Sequence, residues 1–207
     1  MQWLIDTLIW LPAILIALTF HEFAHGFVAD RLGDRTPFQQ GRLTLNPLPH
    51  IDWIGFLMLL IFKFGWAKPV QVDPRNFTNV SQKKGMMLVS LAGPGMNILL
   101  ALVSMVLLKL IIPYQGSSWG TLLVPLLIPL VYINLILAAF NLLPVPPLDG
   151  SKILAGMLPD SGAQLVYSLE QYGPLILLLL IVTNMVGKII WPLVNLLYGM
   201  LNALVAL

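Results

Sequence analysis

Two histidines and a glutamate stand together at the end of the first apolar segment, in the sequence His21-Glu22-Phe23-Ala24-His25. Histidines four positions apart lie about 40° apart around an α-helix, so both imidazoles can point at one metal ion. The glutamate between them is placed to act on a water held by that metal. In a soluble helix the pattern could be a chance surface cluster. Within or beside a bilayer, however, three unpaired ionisable side chains cost several kcal/mol, so we interpret the cluster as a functional site.

The composition of the chain is that of a membrane protein. Of its 207 residues, 58% are hydrophobic and 10% are charged, whereas globular proteins carry about 25% charged residues. The mean hydropathy is +0.87. We therefore expect an all-α polytopic membrane protein with four to six membrane helices, forming one domain over residues 1–207. The net charge of +2 gives no reason to invoke nucleic acid, and the absence of cysteine excludes thiolate metal sites.

Three apolar segments are long enough to cross a hydrocarbon core of about 30 Å, which needs about 20 helical residues. They are residues 7–28, 85–108 and 121–142. The apolar region at about 172–207 predicts one long helix, or two membrane helices that turn near Gly187 and Lys188. Between these segments, residues 151–158 are expected to form a short helix and residues 160–171 a polar loop.

The region 29–84 holds eight of the eleven Lys and Arg residues. By the positive-inside rule it is cytoplasmic, which places the His/Glu/His cluster toward the cytoplasmic half of the membrane. Within it, Ile54 to Phe62 is apolar but too short to span, so it predicts a re-entrant or interfacial segment. Residues 42–45 and 69–72 alternate with period two, which is compatible with a small β element or with irregular loop.

A hydrolytic zinc site usually has three protein ligands and one open position, and the chain offers three candidates for the third ligand. His50 is the only other histidine, and Glu170 is the only other glutamate. Asp149 follows a proline-rich break at 144–147, at the cytoplasmic end of the third span, so its depth matches that of the two histidines. An aspartate before glycine is also typical of a helix cap or a turn, and position alone favours the two roles equally.

Three motifs follow one another along the chain. They are HExxH at 21–25, Ala-Gly-Pro-x-x-Asn at 92–97 and Asn-x-x-Pro-x-x-x-Leu-Asp-Gly at 141–150. In this order and spacing they resemble the site-2 proteases, which are intramembrane zinc metalloproteases. The segment 41–52 resembles the short prokaryotic members without a PDZ domain. The resemblance covers about residues 15–155, within a catalytic core that we place at about 7–155.

The resemblance implies a ligand set and a catalytic base. His21, His25 and Asp149 are expected to bind one Zn²⁺, and Glu22 is expected to act as general base. The expected partners are a transmembrane-helix substrate protein and the lipid bilayer of a prokaryotic cell, with no nucleic acid; a homo-oligomer is compatible with the sequence. Because a peptide bond inside a helix is shielded, the substrate must unwind locally. Residues 42–45, 69–72 and 144–147 could bind the unwound stretch by strand addition.

Three further polar residues are candidates for contacts with the substrate or the oxyanion. Asn141, beside the proline-rich break, is the first choice as oxyanion donor, in line with the family pattern. An interhelical hydrogen bond is its alternative role. Asn97 has the same two interpretations, with packing favoured, and His50 is expected either to assist the site or to cap a loop at the membrane face.

Two other functions are compatible with part of this pattern. A polytopic metal-binding protein or cation transporter would also place His, Asp and Glu inside the membrane. Transporters commonly contain internal repeats, and no internal repeat is visible in the sequence. A non-cutting scaffold that binds membrane helices would have no need of a base such as Glu22 between two ligands.

Overall fold

The computed structural model describes residues 2–62 and 65–206, and it folds them into nine α-helices. In chain order these are α1 (Gln2–Arg31), α2 (Thr36–Gln39), α3 (Trp53–Phe62), α4 (Gln82–Ile111), α5 (Ser118–Asn141), α6 (Asp149–Met157), α7 (Asp160–Ser168), α8 (Gly173–Val182) and α9 (Met185–Ala206). Short 3₁₀ turns lie between some of them, including one at Pro74–Asn76.

Five helical segments are long and apolar enough to cross a membrane. They are Ile9–Arg31, Gln82–Tyr114, Ser118–Asn141, Asp160–Val182 and Met185–Ala206. The described residues contain no β-sheet, only an isolated antiparallel bridge between Ile51 and Ala67. The chain is therefore an all-α polytopic membrane protein, as its composition predicts.

The helical core joins α4, α5 and α9. Ala101 and Met105 of α4 pack in one buried cluster with Leu135 of α5 and with Val194 and Leu201 of α9. Leu135 is fully buried and Val194 is 1% exposed. This packing joins α4 and α5, the two helices that carry part of the functional site.

The region between α1 and α4 contains one apolar helix, α3. The carboxylate of Asp52 accepts hydrogen bonds from the backbone N–H groups of Ile54 (3.0 Å) and Gly55 (2.9 Å), which caps the start of the helix. Its ten residues span about 15 Å, half of a hydrocarbon core. This length agrees with the predicted re-entrant or interfacial segment.

The two segments with period-two alternation, 42–45 and 69–72, are irregular chain in the structure. Pro69 has no backbone N–H with which to pair, and its carbonyl accepts a hydrogen bond from the side chain of Arg42 instead of from a neighbouring strand. The irregular-loop alternative is therefore the one observed.

The C-terminal region differs from the prediction in two places. The predicted polar loop at 160–171 contains α7, because Ala163 and Val166 of that segment pack against Ala155 of α6. The turn in the apolar C-terminal region is at Asn184, which has a φ of +56°, and Gly187 lies inside α9. Asparagine tolerates this left-handed backbone better than most residues, so the turn forms there.

Two lysines show which helix ends lie together. Near the start of α4, the Nζ of Lys83 donates to the carboxylate of Asp160 at 2.9 Å. Near the end of α4, the Nζ of Lys109 donates to the carbonyl oxygen of Val205. Helix α7 therefore begins at the end of the bundle where α4 begins, and α9 finishes where α4 finishes.

Candidate metal centre

The two histidines of α1 and the aspartate that begins α6 meet in the interior of the bundle. The Nε2 atoms of His21 and His25 lie 3.0 Å apart. The Oδ2 atom of Asp149 lies 3.3 Å from the Nε2 of His21 and 3.2 Å from that of His25. The three side chains belong to residues that are 5%, 9% and 9% exposed. Three potential ligand atoms thus face one point.

The other nitrogen of each imidazole has a partner that must accept a hydrogen bond. The Nδ1 of His21 donates to the Oδ1 of Asn97 at 2.6 Å, and the Nδ1 of His25 donates to the carbonyl oxygen of Val89 at 2.7 Å. Since the proton is on Nδ1, each Nε2 presents a lone pair. This is the arrangement in which a neutral histidine binds a metal.

Asn97 is itself held by two hydrogen bonds from its amide nitrogen. The Nδ2 donates to the carbonyl oxygen of Ala17 (3.1 Å) and to the Oδ1 of Asn134 (2.8 Å), which leaves Oδ1 facing His21. Asn97 therefore packs in the interior and also orients a candidate ligand. Asn134 belongs to this series of hydrogen bonds, and the sequence analysis did not identify it. The signal that could have found it is a single amide side chain in the middle of an apolar span.

The donor set fits zinc. Neutral histidine nitrogens and a carboxylate oxygen at Zn–ligand distances of about 2.0–2.2 Å make up the usual three-ligand hydrolytic site. The Oδ2 of Asp149 is buried and accepts no hydrogen bond, so a negative oxygen is left without the partner that burial demands. A cation held by these three residues would satisfy that oxygen.

Gly93 and Gly150 explain why small residues recur in the motifs. A Cβ on Gly93 would lie 2.5 Å from the Nε2 of His25 and 2.6 Å from the Cε1 of His21. A Cβ on Gly150 would lie 2.3 Å from the carbonyl oxygen of Leu143. The first glycine makes room for the imidazoles, and the second lets α6 begin against the end of α5. Asp149 is the first residue of α6, whose N-cap is Leu148.

A cavity of about 490 Å³ opens beside these ligand atoms. Its wall includes Glu22, Asn141 and Lys152, together with residues 65–67, 69, 70 and 72. One carboxylate oxygen of Glu22, Oε2, accepts a hydrogen bond from the backbone N–H of Val70 at 2.8 Å. The base predicted from the sequence therefore lies in the same cavity as the candidate ligands.

The remaining candidates lie at different distances from this centre. Asn141 is half-buried at the cavity wall, and its Nδ2 donates to the carbonyl oxygen of Leu137 in its own helix at 3.0 Å. His50 is buried, and its Nε2 donates to the carbonyl oxygen of Thr44 at 2.9 Å. Burial, and to a smaller extent the charge of Arg42, lowers the pKa of His50.

The other two candidates for the third metal ligand, His50 and Glu170, lie apart from the metal centre. His50 lines a separate apolar cavity of about 310 Å³, and Glu170 is exposed in a 3₁₀ turn. Among the described residues, the only group of histidine, aspartate or glutamate side chains that could hold a metal is His21, His25 and Asp149.

A bundle of apolar helices that encloses two histidines, an aspartate and a glutamate in one cavity defines the class of an intramembrane metallohydrolase. The profile of peptidase family M50 matches residues 109–182. The chain is 38% identical over 185 residues to the Bacillus subtilis protein described as "Putative zinc metalloprotease YwhC". The aligned residues cover 88% of this chain and 84% of that protein. The chain belongs to peptidase family M50, the site-2 protease family.

More distant relatives carry the same description. "Putative zinc metalloprotease Rip2" of Mycolicibacterium smegmatis is 30% identical over 87% of this chain and 69% of its own length. "Putative zinc metalloprotease MJ0611" of Methanocaldococcus jannaschii is 33% identical over 71% of this chain and 69% of its own length. No solved structure gives a significant match. The protein is an intramembrane zinc metalloprotease, and none of these relatives favours a transporter.

Proposed function

We propose that His21, His25 and Asp149 hold the zinc ion and that Glu22 is the general base for peptide hydrolysis. The observation that carries the proposal is the convergence of both Nε2 atoms on the Oδ2 of Asp149 within 3.3 Å, with Glu22 in the same cavity. This is the three-ligand set with an adjacent carboxylate that metal-assisted peptide hydrolysis requires.

Each residue has a defined part in this proposal. A zinc ion held by these residues would polarise the peptide carbonyl and would lower the pKa of a water molecule enough for its deprotonation near neutral pH. Glu22 takes a proton from the attacking water and returns it to the leaving amine. The amide of Asn141 has two N–H groups, of which one bonds Leu137, and the other donates to the developing oxyanion.

The substrate we propose is a transmembrane helix that has unwound near the site. The carbonyl oxygen of Val70 and the N–H of Val72 make no hydrogen bond within the described residues. They lie beside the cavity, where an extended substrate backbone could pair with them. We also propose that the cavity faces the cytoplasm of a prokaryotic cell, because the basic region 29–84 follows α1.

The test compares the two glutamates of the chain. The assay uses a single-span transmembrane reporter peptide with a fluorophore and a quencher on either side of a central Gly-Pro pair. Glu22→Gln should retain about one zinc per chain and lose at least about 100-fold in cleavage rate. Glu170→Gln, at an exposed position, should match the wild type in both measurements. A fully active Glu22→Gln variant would contradict the proposed base.

The same experiment includes two aspartates to test the third ligand. Asp149→Ala should lose most of its zinc, measured by mass spectrometry of the purified protein. Asp160→Ala is the matched control, since that side chain is exposed and bonds only Lys83. Full zinc retention by Asp149→Ala would exclude Asp149 as a required ligand.

A further inference from the structure

An irregular segment lies beside the proposed general base, Glu22, and we name its residues 66–72 the strap. It follows α3 and ends before the 3₁₀ turn at Pro74–Asn76. Its one hydrogen bond to the proposed base is that from the N–H of Val70 to the Oε2 of Glu22, 2.8 Å long. A bond to one carboxylate oxygen limits the rotation of that carboxylate and leaves the other oxygen available.

The guanidinium of Arg42 donates hydrogen bonds to two backbone carbonyl oxygens of the strap. Its Nη1 donates to the carbonyl oxygen of Pro69 at 3.2 Å, and its Nη2 donates to that of Lys68 at 2.5 Å. The residue is 4% exposed, and no described carboxylate lies within ion-pair distance of it. Burying a guanidinium without a carboxylate partner costs free energy, and the hydrogen bonds to these two carbonyl oxygens offset part of that cost.

His50 completes this support. Its Nδ1 lies 3.3 Å from the Nη2 of Arg42, and because Nε2 donates to Thr44, Nδ1 can accept from the guanidinium. The backbone carbonyl of His50 accepts a hydrogen bond from the N–H of Lys68 at 2.9 Å. The segment that carries Arg42 and His50 therefore fixes the strap at Lys68 and Pro69, immediately before Val70.

The geometry of one peptide bond connects Arg42 with Glu22. The carbonyl of Pro69 and the N–H of Val70 belong to the same peptide plane, and in a trans peptide they point in opposite directions. When Arg42 holds that carbonyl oxygen on one side of the strap, the N–H is directed to the other side. Glu22 is the group that receives it.

We infer that Arg42 is a positioning residue for Glu22, acting through the Pro69–Val70 peptide. The inference rests on the proposed role of Glu22. The planar fork of an arginine is suited to this task, because it can donate to two carbonyls and an imidazole at once, whereas a lysine ammonium is a point charge without fixed directions. Removing the fork should misdirect the base while the metal ligands stay in place.

The test measures kcat, KM and zinc content with the reporter peptide. Arg42→Gln should keep about one zinc per chain and a KM within about threefold of the wild type. Its kcat should fall about 10- to 100-fold, the range for losing a hydrogen bond to a charged group. Arg42→Lys should be intermediate. The control is Arg75→Gln, since Arg75 is 81% exposed and pairs only with Asp73.

A double-variant cycle tests the route through Val70. Val70→Pro deletes the N–H that reaches Glu22, so Arg42→Gln combined with it should lose no more kcat than the worse single variant. Additive losses would overturn the inference, as would a wild-type kcat in Arg42→Gln. If Arg42→Gln does not hold zinc, Arg42→Lys decides: reduced kcat with zinc retained supports the inference, and wild-type kcat overturns it.

The Glu22→Gln variant separates this inference from the proposed function. If Glu22→Gln cleaves at the wild-type rate, the proposed function fails. If Glu22→Gln is inactive while Arg42→Gln cleaves normally, the role of Glu22 stands and only the role of Arg42 fails.

Discussion

Gly93 of α4 lies against His25 of α1 so closely that a Cβ at position 93 would come within 2.5 Å of the imidazole Nε2. The atom that would be displaced is one of the proposed ligand atoms. Helix α4 thus forms the back wall of the metal centre, and the absence of a side chain at this position is what lets both imidazoles converge.

Gly93→Ala should therefore lose zinc. The added methyl group pushes the imidazoles out of line with Asp149, and we expect at least a tenfold loss of zinc affinity, about the effect of disturbing the groups that orient a ligand. Competition with a chelator measures it. The control is Gly95→Ala in the same helix, where a Cβ meets no heavy atom within 4 Å. Equal affinities in the two variants would refute the role of Gly93.

Asn97→Ala should weaken zinc binding by about 10- to 100-fold, because the Oδ1 that accepts from His21 is lost and the imidazole is free to turn. The same chelator competition applies. The control is Asn202→Ala, an exposed asparagine of α9. Should Asn97→Ala bind zinc like the wild type, the hydrogen bond of 2.6 Å would have no part in holding the ligand.

Asp34 joins the end of α1 to the chain that follows the strap. Its carboxylate accepts from the Oγ1 of Thr36 (2.6 Å), the Nδ2 of Asn76 (2.8 Å) and the backbone N–H of Asp73 (2.7 Å). Burial would raise the pKa of Asp34, but the hydrogen bonds from Asn76, Thr36 and Asp73 outweigh it and hold the pKa below its ordinary value.

A lowered pKa makes the contribution of Asp34 dependent on pH. The stabilisation is fully present above the unfolded pKa of 3.8 and is lost as the pH falls through the lower folded value. Asp34→Ala should cost about 1–3 kcal/mol at pH 7, and its difference from the wild type should shrink below about pH 4. Thermal unfolding of the metal-free proteins at both pH values measures this. As a control, Asp160→Ala should change the free energy of unfolding little at either pH. A loss of stability in Asp34→Ala that does not depend on pH would contradict the proposed role of Asp34.

The absence of cysteine makes the orientation in the membrane directly measurable. Gln40→Cys lies after α2 and Gln115→Cys lies between α4 and α5, both at exposed positions. If the cavity faces the cytoplasm, a membrane-impermeant maleimide should label Gln115→Cys in intact cells and label Gln40→Cys only after lysis. The reverse pattern would invert the proposed orientation.

Most of the fold could be predicted from the sequence because apolar length is a local property. The predicted spans 7–28 and 85–108 fall within α1 and α4, and the predicted span 121–142 ends one residue beyond the end of α5. The errors lie in the C-terminal third, where α7 exists because it packs on α6 and where the turn occurs at Asn184. Neither packing partners nor one positive φ can be read from a hydrophobic pattern.

The candidate site divides in the same way. The spacing of His21 and His25 by itself determined that both imidazoles share a face of α1, since four residues are slightly more than one helical turn. The family motifs added Asp149. Only the tertiary structure decided which groups orient the imidazoles and that a segment beyond α3 reaches Glu22. Asn97 and His21, for example, are 76 positions apart, and a contact over that distance depends on how the helices pack, which no local pattern specifies.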